Sequence, residues 1–256
     1  MSTYNPDALA ELQEKFDTII DRRNNLFALI YPTELNQPKA RNYLEQGVMR
    51  RISLIAQSVV HVFRLIPPDT TAIPSKETID QATIHLHANY INLYGFMDCW
   101  AHVWASEYAL DETGNPALKN SRIGIGSSYE EFRGYLNQSL VDYLREREEW
   151  ITLVALLRHS LAHRVPPYIP PHMVDPSNEE PYRDLQARWF NSLDTEERER
   201  LNSEMESISH FKAFLVYDLD ESPPIAFHAQ LVSDFLTVEE FSQRFVFAIQ
   251  EMAKHA

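Results

Sequence analysis

The 256-residue sequence lacks several features that would place it in a familiar class of protein. Its single cysteine, Cys99, excludes an internal disulfide and favours a reducing compartment. No apolar run reaches the roughly 20 residues that a membrane-spanning helix needs. Residues 1–12 are acidic and contain no apolar stretch, so we expect no signal peptide, no membrane partner and a cytoplasmic location.

Basic residues are also scarce. The chain has 23 Lys and Arg against 37 Asp and Glu, and the resulting net charge of −14 repels nucleic-acid backbones at long range. Any contact with RNA or DNA therefore needs a local basic patch. The apolar content of 44% and the charged content of 23% are ordinary for globular proteins, which excludes wholesale disorder and a fibrous coiled coil.

The six glycines do not form a known phosphate-binding or nucleophile motif. The segment Gly124-Ile125-Gly126-Ser127 lacks the later glycine and the Lys-Ser/Thr pair that a nucleotide site needs. No Gly-x-Ser-x-Gly elbow of a serine hydrolase is present. We therefore expect no cofactor.

Apolar residues at helical spacing, with proline and capping residues at the ends, predict the first two thirds of the fold. Four helical segments are predicted: from Asn5-Pro6 to Pro32, about 41–63, about 77–108 and about 129–163. The third is apolar nearly all round and is expected to be the central helix. The fourth is one kinked helix or two, with any break in residues 145–149, and Ser128 with Glu131 predicts a capping box at its start.

The pattern changes after residue 165. Two proline pairs at 166–167 and 170–171 predict an extended segment. Further elements are predicted behind it: a polar helix capped by Asp194 and Glu197 that runs to about 209, β-like runs at 211–219 and 225–232 around a hairpin loop at 220–224, and a last helix capped by Thr237 and Glu240.

Together these patterns predict a mainly α fold in two parts. Residues 1–165 are expected to form an antiparallel helical bundle. Residues 166–256 are expected to form a Pro-rich segment and an α+β extension, a small β-hairpin plus a helix, packed on that bundle.

The sequence Arg158-His159-Ser160-Leu161-Ala162-His163 is the strongest candidate for chemistry, at the end of an apolar helix just before the proline stop. An arginine presents a planar fork of donors that suits phosphate oxygens, and a histidine can move a proton near neutral pH. This pair can cleave RNA without a metal. The histidine takes the 2′-hydroxyl proton and the arginine neutralises the charge that grows on the phosphate, which yields a 2′,3′-cyclic phosphate.

This motif resembles that of the HEPN superfamily, in which Arg-x4–6-His with a polar second position marks metal-independent ribonucleases built on a four- or five-helix bundle. The resemblance implies that Arg158 stabilises the phosphate, that His163 accepts the proton and that His159 orients it or shares the proton work. It also implies a homodimer with one composite site, an RNA substrate, a toxin–antitoxin or phage-defence role and a protein antitoxin or regulator. One toxin subgroup carries Tyr two residues after the motif histidine, where this chain has Val165.

Three further residues are candidates for holding RNA: Arg164, Tyr168 and Arg147. Tyr168, fixed by flanking prolines, either stacks on a base or packs on the bundle. The doublets Arg22-Arg23 and Arg50-Arg51 are interpreted as solvated charged surface.

Two other interpretations stay open. His159 and His163 are four residues apart on one helical face, as metal ligands can be, but their stripe offers no third ligand and we expect no metal site. The acidic charge and the C-terminal extension favour a non-catalytic HEPN-like helical protein that binds a partner or a nucleotide. The histidines elsewhere are interpreted as satisfied polar residues of the bundle: His61, His85, His87 and His102.

Overall fold

A computed structural model describes residues 3–217 and 223–255, which form a mainly helical protein, as the sequence predicts. The α-helices in that part of the chain are α1 (Pro6–Ile30), α2 (Pro38–Asn42), α3 (Arg50–Leu65), α4 (Lys76–Tyr108), α5 (Glu130–Arg133), α6 (Gln138–Glu146), α7 (Glu148–His163), α8 (Glu179–Asn191), α9 (Thr195–Ser207) and α10 (Phe227–His255). A π-helical segment, Tyr43–Met49, joins α2 to α3, and short 3₁₀ turns lie at Asn120–Arg122 and Pro176–Asn178.

Two small antiparallel sheets lie in the C-terminal third. The strands are β1 (Met173–Val174), β2 (Ser209–His210), β3 (Phe214–Leu215) and β4 (Ile225–Ala226). In the first sheet β1 pairs with β2, and in the second β3 pairs with β4. The C-terminal β-structure plus helix that the sequence predicts is therefore confirmed.

The first two predicted helices form where capping and proline place them. The Asn5 side chain accepts a hydrogen bond from the Ala8 N–H at 2.8 Å, and α1 ends just before Pro32. The second helix runs without a break from Pro38 to Leu65, longer than the predicted 41–63, and its middle part is the π-helical segment.

The long helix α4 is the centre of the protein. The Ser75 side chain caps it by accepting from the Thr78 N–H at 3.1 Å. Its buried aromatic rings pack against rings of α10 in tilted and edge-on contacts, and the ring centroids of Trp100 and Phe245 lie 5.2 Å apart. The α3 rod packs antiparallel along another side of α4. These contacts confirm the third segment as the central helix.

The region predicted as one helix or two is three helices, α5, α6 and α7. The last break falls at Arg147, inside the predicted interval 145–149. The predicted capping box is wrong: α5 is a single turn that begins at Glu130, with Tyr129 in the capping position and no side-chain cap. Glu131 instead lies 3.5 Å from Arg122, so the carboxylate is not directed back to the helix start.

Within the part of the hairpin that the structure describes, the predicted strands pair over β3 and β4. Residues 218–222, which include part of the first predicted strand and of the hairpin loop, lie outside the described residues. The predicted strand 225–232 is wrong beyond Ala226, since α10 begins at Phe227 and buries Phe227, Leu231 and Phe235 at helical spacing. Apolar residues in a short run fit either period, and packing against the bundle selects the helix.

The predicted cap of the last helix is also wrong. Thr237 lies inside α10, where its hydroxyl donates to the Ser233 carbonyl at 2.9 Å. The cap at Asp194 is confirmed, because its side chain accepts from the Glu196 N–H at 3.0 Å at the start of α9. The helix α8, which precedes it, was not predicted; it has no buried residue and so carries only a weak apolar stripe.

Helix α10 shares its apolar core with the helices before residue 165. It packs on α1, α3, α4 and α6, and Arg22 of α1 contacts Glu239 of α10 at 2.8 Å. The division at residue 165 stays a prediction. Among residues 3–217 and 223–255, none of the helices combines the length and the apolarity required to cross a membrane.

Candidate active site

The motif lies on the last two turns of α7. This helix begins after Arg147 with two acidic residues in its first turn, which complement the helix dipole. One side of it is buried against the bundle: Ile151, Val154, Leu157 and Ser160. Trp150 anchors its start by donating from Nε1 to the Asp234 carboxylate of α10 at 2.9 Å. Helix α7 is therefore a fixed support whose far end is free to present side chains.

The three motif side chains are all exposed at that far end. The rings of His159 and His163, one turn apart, are in tilted contact with centroids 5.0 Å apart. Arg158 forms no ion pair with any described residue. In a chain with 37 acidic side chains, a guanidinium without a carboxylate partner is available to an external anion.

The Arg158 side chain extends from α7 to the surface of α4. Its guanidinium lies 5.3 Å from the centroid of the Tyr94 ring, a cation–π contact. Burial raises the pKa of Tyr94 to about 12. The neutral ring thus fixes the direction of the arginine without neutralising it.

One carboxyl group lies close to this contact. Asp98 stands one turn beyond Tyr94 on α4, and burial raises the pKa of Asp98 to about 6, while the positive charges of Arg158 and Arg51 act in the opposite direction. Neither guanidinium is in ion-pair contact with Asp98. The carboxyl is therefore a weak local counter-charge, and the surface around Arg158 keeps a positive character.

Within one chain Arg158 and His163 point in different directions. Residues five apart on a helix differ by about 140° in direction. From the sequence, the two side chains could converge only if the helix loosened before Pro166. Helix α7 instead stays regular through His163, and Arg164 is the first residue with extended backbone. Since Arg158 is turned to Tyr94 and His163 to His159, a single copy does not converge both groups on one phosphate.

The proline segment that follows α7 is extended, as predicted, and is tied down on two sides. His87 on α4 hydrogen-bonds through Nε2 to the Pro167 carbonyl at 2.6 Å. Tyr168 pairs through its main chain with Val216 in both directions, each hydrogen bond measuring 2.9 Å. Tyr168 is 37% exposed, so part of this residue is accessible to a ligand. Arg164 is exposed beside it.

Arg147 is not brought to this site. It stands at the start of α7, about 24 Å along the helix axis from His163 at about 1.5 Å per residue. Its guanidinium donates to the Glu240 carboxylate of α10 at 2.8 and 3.2 Å. That contact occupies the donors with which it would hold RNA.

The metal interpretation gains no third ligand. Within residues 3–217 and 223–255, no group of three or more His, Cys, Asp or Glu side chains could hold a metal ion. Of the other histidines, His61 and His85 stack with centroids 4.5 Å apart and His102 stacks on Tyr43 at 4.7 Å.

The sequence did not single out Tyr94 and Asp98 as site residues. It interpreted Arg51 as solvated charged surface, which is wrong, because Arg51 is partly buried and donates a hydrogen bond to Asn92. A signal for one of them was present, because Asp98 is the only acidic residue between positions 81 and 106 of an otherwise apolar helix. A lone carboxylate in a central helix often has a cationic partner. The partner itself could not be named without the packing of α7 and α3 on α4.

Comparison with known proteins gives no relative. No family model matches the chain, and neither the curated proteins nor the solved structures contain a match. The resemblance to the HEPN superfamily therefore rests on the motif and the helical architecture.

Proposed function

We propose that this protein is a metal-independent endoribonuclease of the HEPN type that acts as a homodimer. The observation that carries the proposal is the end of α7, where Arg158, His159 and His163 are exposed together and Arg158 lacks an ion-pair partner among the described residues. A guanidinium and two imidazoles at one exposed helix end supply the phosphate-binding and proton-transfer groups that RNA cleavage needs.

The divergence of Arg158 and His163 within one chain supports a composite site. In a two-fold dimer that apposes the ends of α7, Arg158 of one protomer and His163 of the partner subunit can address the same phosphodiester. The dimer then has two equivalent sites, and each protomer supplies Arg158 to one of them and His163 to the other.

The surface next to the motif also supports a second copy as partner. Ile84, His87, Ile91 and Tyr94 form a stripe on α4 at three- and four-residue spacing, and two of them contact the α7 end or the segment behind it. Ile84 is 64% exposed, Ile91 51% and Val165 55%. Exposed apolar side chains that continue from a site favour burial in an interface.

The proposed reaction is a transesterification. His163 accepts the 2′-hydroxyl proton, the 2′-oxygen attacks the phosphorus, and the bond from phosphorus to the 5′-oxygen breaks. The leaving 5′-oxygen takes a proton from the second imidazole of the site, for which His159 is the candidate. Arg158 stabilises the charge on the phosphate oxygens. The products are a 2′,3′-cyclic phosphate and a 5′-hydroxyl, and DNA is inert because it lacks the nucleophile.

The first test is cleavage of varied single-stranded RNAs by the pure protein in EDTA, with the ends of the products identified. We expect Arg158→Ala and His163→Ala each to lower the rate by about 10²–10⁴-fold, the usual value of one acid–base or charge-stabilising group. Arg188→Ala, an exposed arginine on α8, is the matched control and should cleave like the wild type.

The composite site has a sharper test. When Arg158→Ala and His163→Ala proteins are mixed and allowed to exchange protomers, half of the dimers are mixed and each keeps one intact pair. The mixture should therefore recover about one quarter of wild-type activity. Recovery would be absent if both groups acted within one chain.

Toxicity in an expressing cell tests the role as a toxin or defence effector without a known substrate. Growth arrest by the wild type that disappears with His163→Ala supports it. If pure protein cleaves no RNA and both variants keep the binding of a partner protein, the chain is a helical binding module and the nuclease proposal is wrong.

A further inference from the structure

Arg51, on the first turn of α3, lies across α4 next to the motif. It donates from Nη1 to the Asn92 side chain at 3.1 Å. Gly95 makes this position possible, since a Cβ on that residue would lie 2.5 Å from Nη1 and 2.8 Å from Nε of Arg51. The guanidinium thus occupies the place of a side chain on the surface of α4.

Arg51 of α3 and Arg158 of α7 both approach the same turn of α4. Arg158 lies over Tyr94, and Arg51 lies over the next residue, Gly95. Asp98, one turn further on, is the carboxyl that both guanidiniums influence. The helices α3 and α7 are more than 80 residues apart in sequence, so only the fold creates this pair of arginines.

The charges of this surface are not balanced. Two guanidiniums share the field of one half-buried carboxyl, and neither forms an ion pair with a described residue. Placing two like charges on one helical turn is unfavourable unless an anion or solvent separates them. Many other arginines of this acidic chain do have a carboxylate partner, Arg133 and Arg147 among them.

We infer that Arg51 binds a phosphodiester of the RNA next to the one that is cleaved, so that the substrate crosses α4 between α3 and α7. This inference rests on the proposed function and adds a substrate-binding residue to it. Arg51 holds the strand while Arg158 acts on the reacting phosphate. Loss of Arg51 therefore weakens substrate binding and leaves the chemical step of bound substrate nearly unchanged.

The test is binding of a fluorescent 2′-O-methyl RNA oligonucleotide, which has no free nucleophile, measured in EDTA at several salt concentrations. We expect Arg51→Ala to raise Kd on the order of tenfold, as for loss of one charge-assisted contact. The slope of log affinity against log salt should fall by about 0.7, the value for one phosphate contact on a single strand. Arg64→Ala, an exposed arginine at the other end of α3, is the matched control.

A second variant displaces the Arg51 guanidinium without removing it. Gly95→Ala should displace Arg51 from the α4 surface and raise Kd, although alanine is the better helix former and the fold is kept. Gly126→Ala is its control, because a Cβ there meets nothing nearer than 3.9 Å. Arg51→Lys keeps the charge but loses the planar fork, and its Kd should lie between those of the wild type and Arg51→Ala.

Cleavage kinetics complete the test, with KM raised about tenfold and kcat within about twofold of wild type for Arg51→Ala. If the wild type binds and cleaves RNA but Arg51→Ala matches Arg64→Ala, the inference is wrong and the proposed function stands. If kcat falls and KM does not, Arg51 acts on the reacting phosphate and the inference is wrong. If the wild type binds no RNA, the proposed function and the inference fall together.

Discussion

The helical bundle and the helical hairpin that α8 and α9 form, called the hairpin below, are stabilised in different ways. In the bundle, α4 and α10 bury tryptophan and phenylalanine rings that are fully removed from solvent, among them Trp100 and Phe245. In the hairpin, α8 buries no residue and α9 buries only Leu201 and Met205. The hairpin instead shows exposed ion pairs within its own helices, such as Arg183 with Glu179.

This contrast indicates which part of the protein can hold functional side chains in fixed positions. A fully buried aromatic core gives each helix one defined position, whereas exposed ion pairs contribute little to stability. Helix α7 is anchored on the bundle side, so Arg158 and His163 inherit the rigidity of α4 and α10. The hairpin, whose tip exposes Phe190 and Leu193, is expected to open at much lower free energy than the bundle.

The largest expected effect comes from the bundle core. Trp100→Ala should lower the free energy of unfolding by about 3–5 kcal/mol, since it removes a fully buried ring and leaves a cavity. Urea denaturation followed by circular dichroism measures it. Trp189→Ala, on α8, is the comparison and should cost about 1 kcal/mol or less. Equal losses at both positions would remove the contrast between the two regions.

We also expect the stability of the bundle to depend on pH. Burial raises the pKa of Asp234 to about 6, against the hydrogen bonds from Trp150 and Gln230. The native state therefore binds a proton more tightly than the unfolded state, and its stability falls as pH rises from about 4 to about 6. Asp234→Asn should remove this loss, worth on the order of 3 kcal/mol above pH 6.

Unfolding free energies of wild type and Asp234→Asn at pH 4, 5, 6 and 7 check this effect. The asparagine oxygen can still accept from both donors, so the difference between the two proteins isolates the charge. Asp184→Asn, an exposed substitution on α8, is the control. A difference between wild type and Asp234→Asn that does not grow with pH would contradict the interpretation.

Within the hairpin, Leu201→Ala should act locally. It truncates the only fully buried leucine among the described residues of α9 and should destabilise that helix by about 2 kcal/mol. Hydrogen exchange should speed up in α8 and α9 and stay unchanged in α4. Faster exchange throughout α4 would mean that the hairpin and the bundle unfold as one cooperative unit.

The smallest effect is expected at the hairpin tip. Leu193 is 96% exposed, so Leu193→Ser should change the free energy of unfolding by less than about 0.5 kcal/mol. It should also leave RNA cleavage unchanged. A loss of cleavage with intact stability would place the hairpin at the site and break the separation of the two regions.

Much of the fold was predictable because its signals are local. Asn5 with Pro6 and Ser75 mark helix starts through hydrogen bonds made within one turn. The errors arose where local signals conflict with packing. Thr237 has the character of a cap but lies inside α10, since the apolar residues before it are buried in the bundle core as helix.

The candidate site was predictable only in part, for the same reason. Arg158, His159 and His163 were identified because they lie close together in sequence, on neighbouring turns of one helix and at a recognisable spacing. Arg147 was a candidate for the same site as a basic residue on the helix before the motif, yet its guanidinium contacts Glu240 of α10, 93 residues away in sequence. Contacts between distant segments leave no periodicity that a single sequence can show.

The sequence alone determined a mainly helical chain, the ends of several helices and a guanidinium followed by two imidazoles just before a proline stop. Only the tertiary structure decided that Arg158 turns to Tyr94, away from His163, and that Arg51 joins it from α3. Periodicity sets which face of a helix is apolar, but the crossing of helices sets which polar side chains meet, and that depends on how all of the buried surfaces fit together.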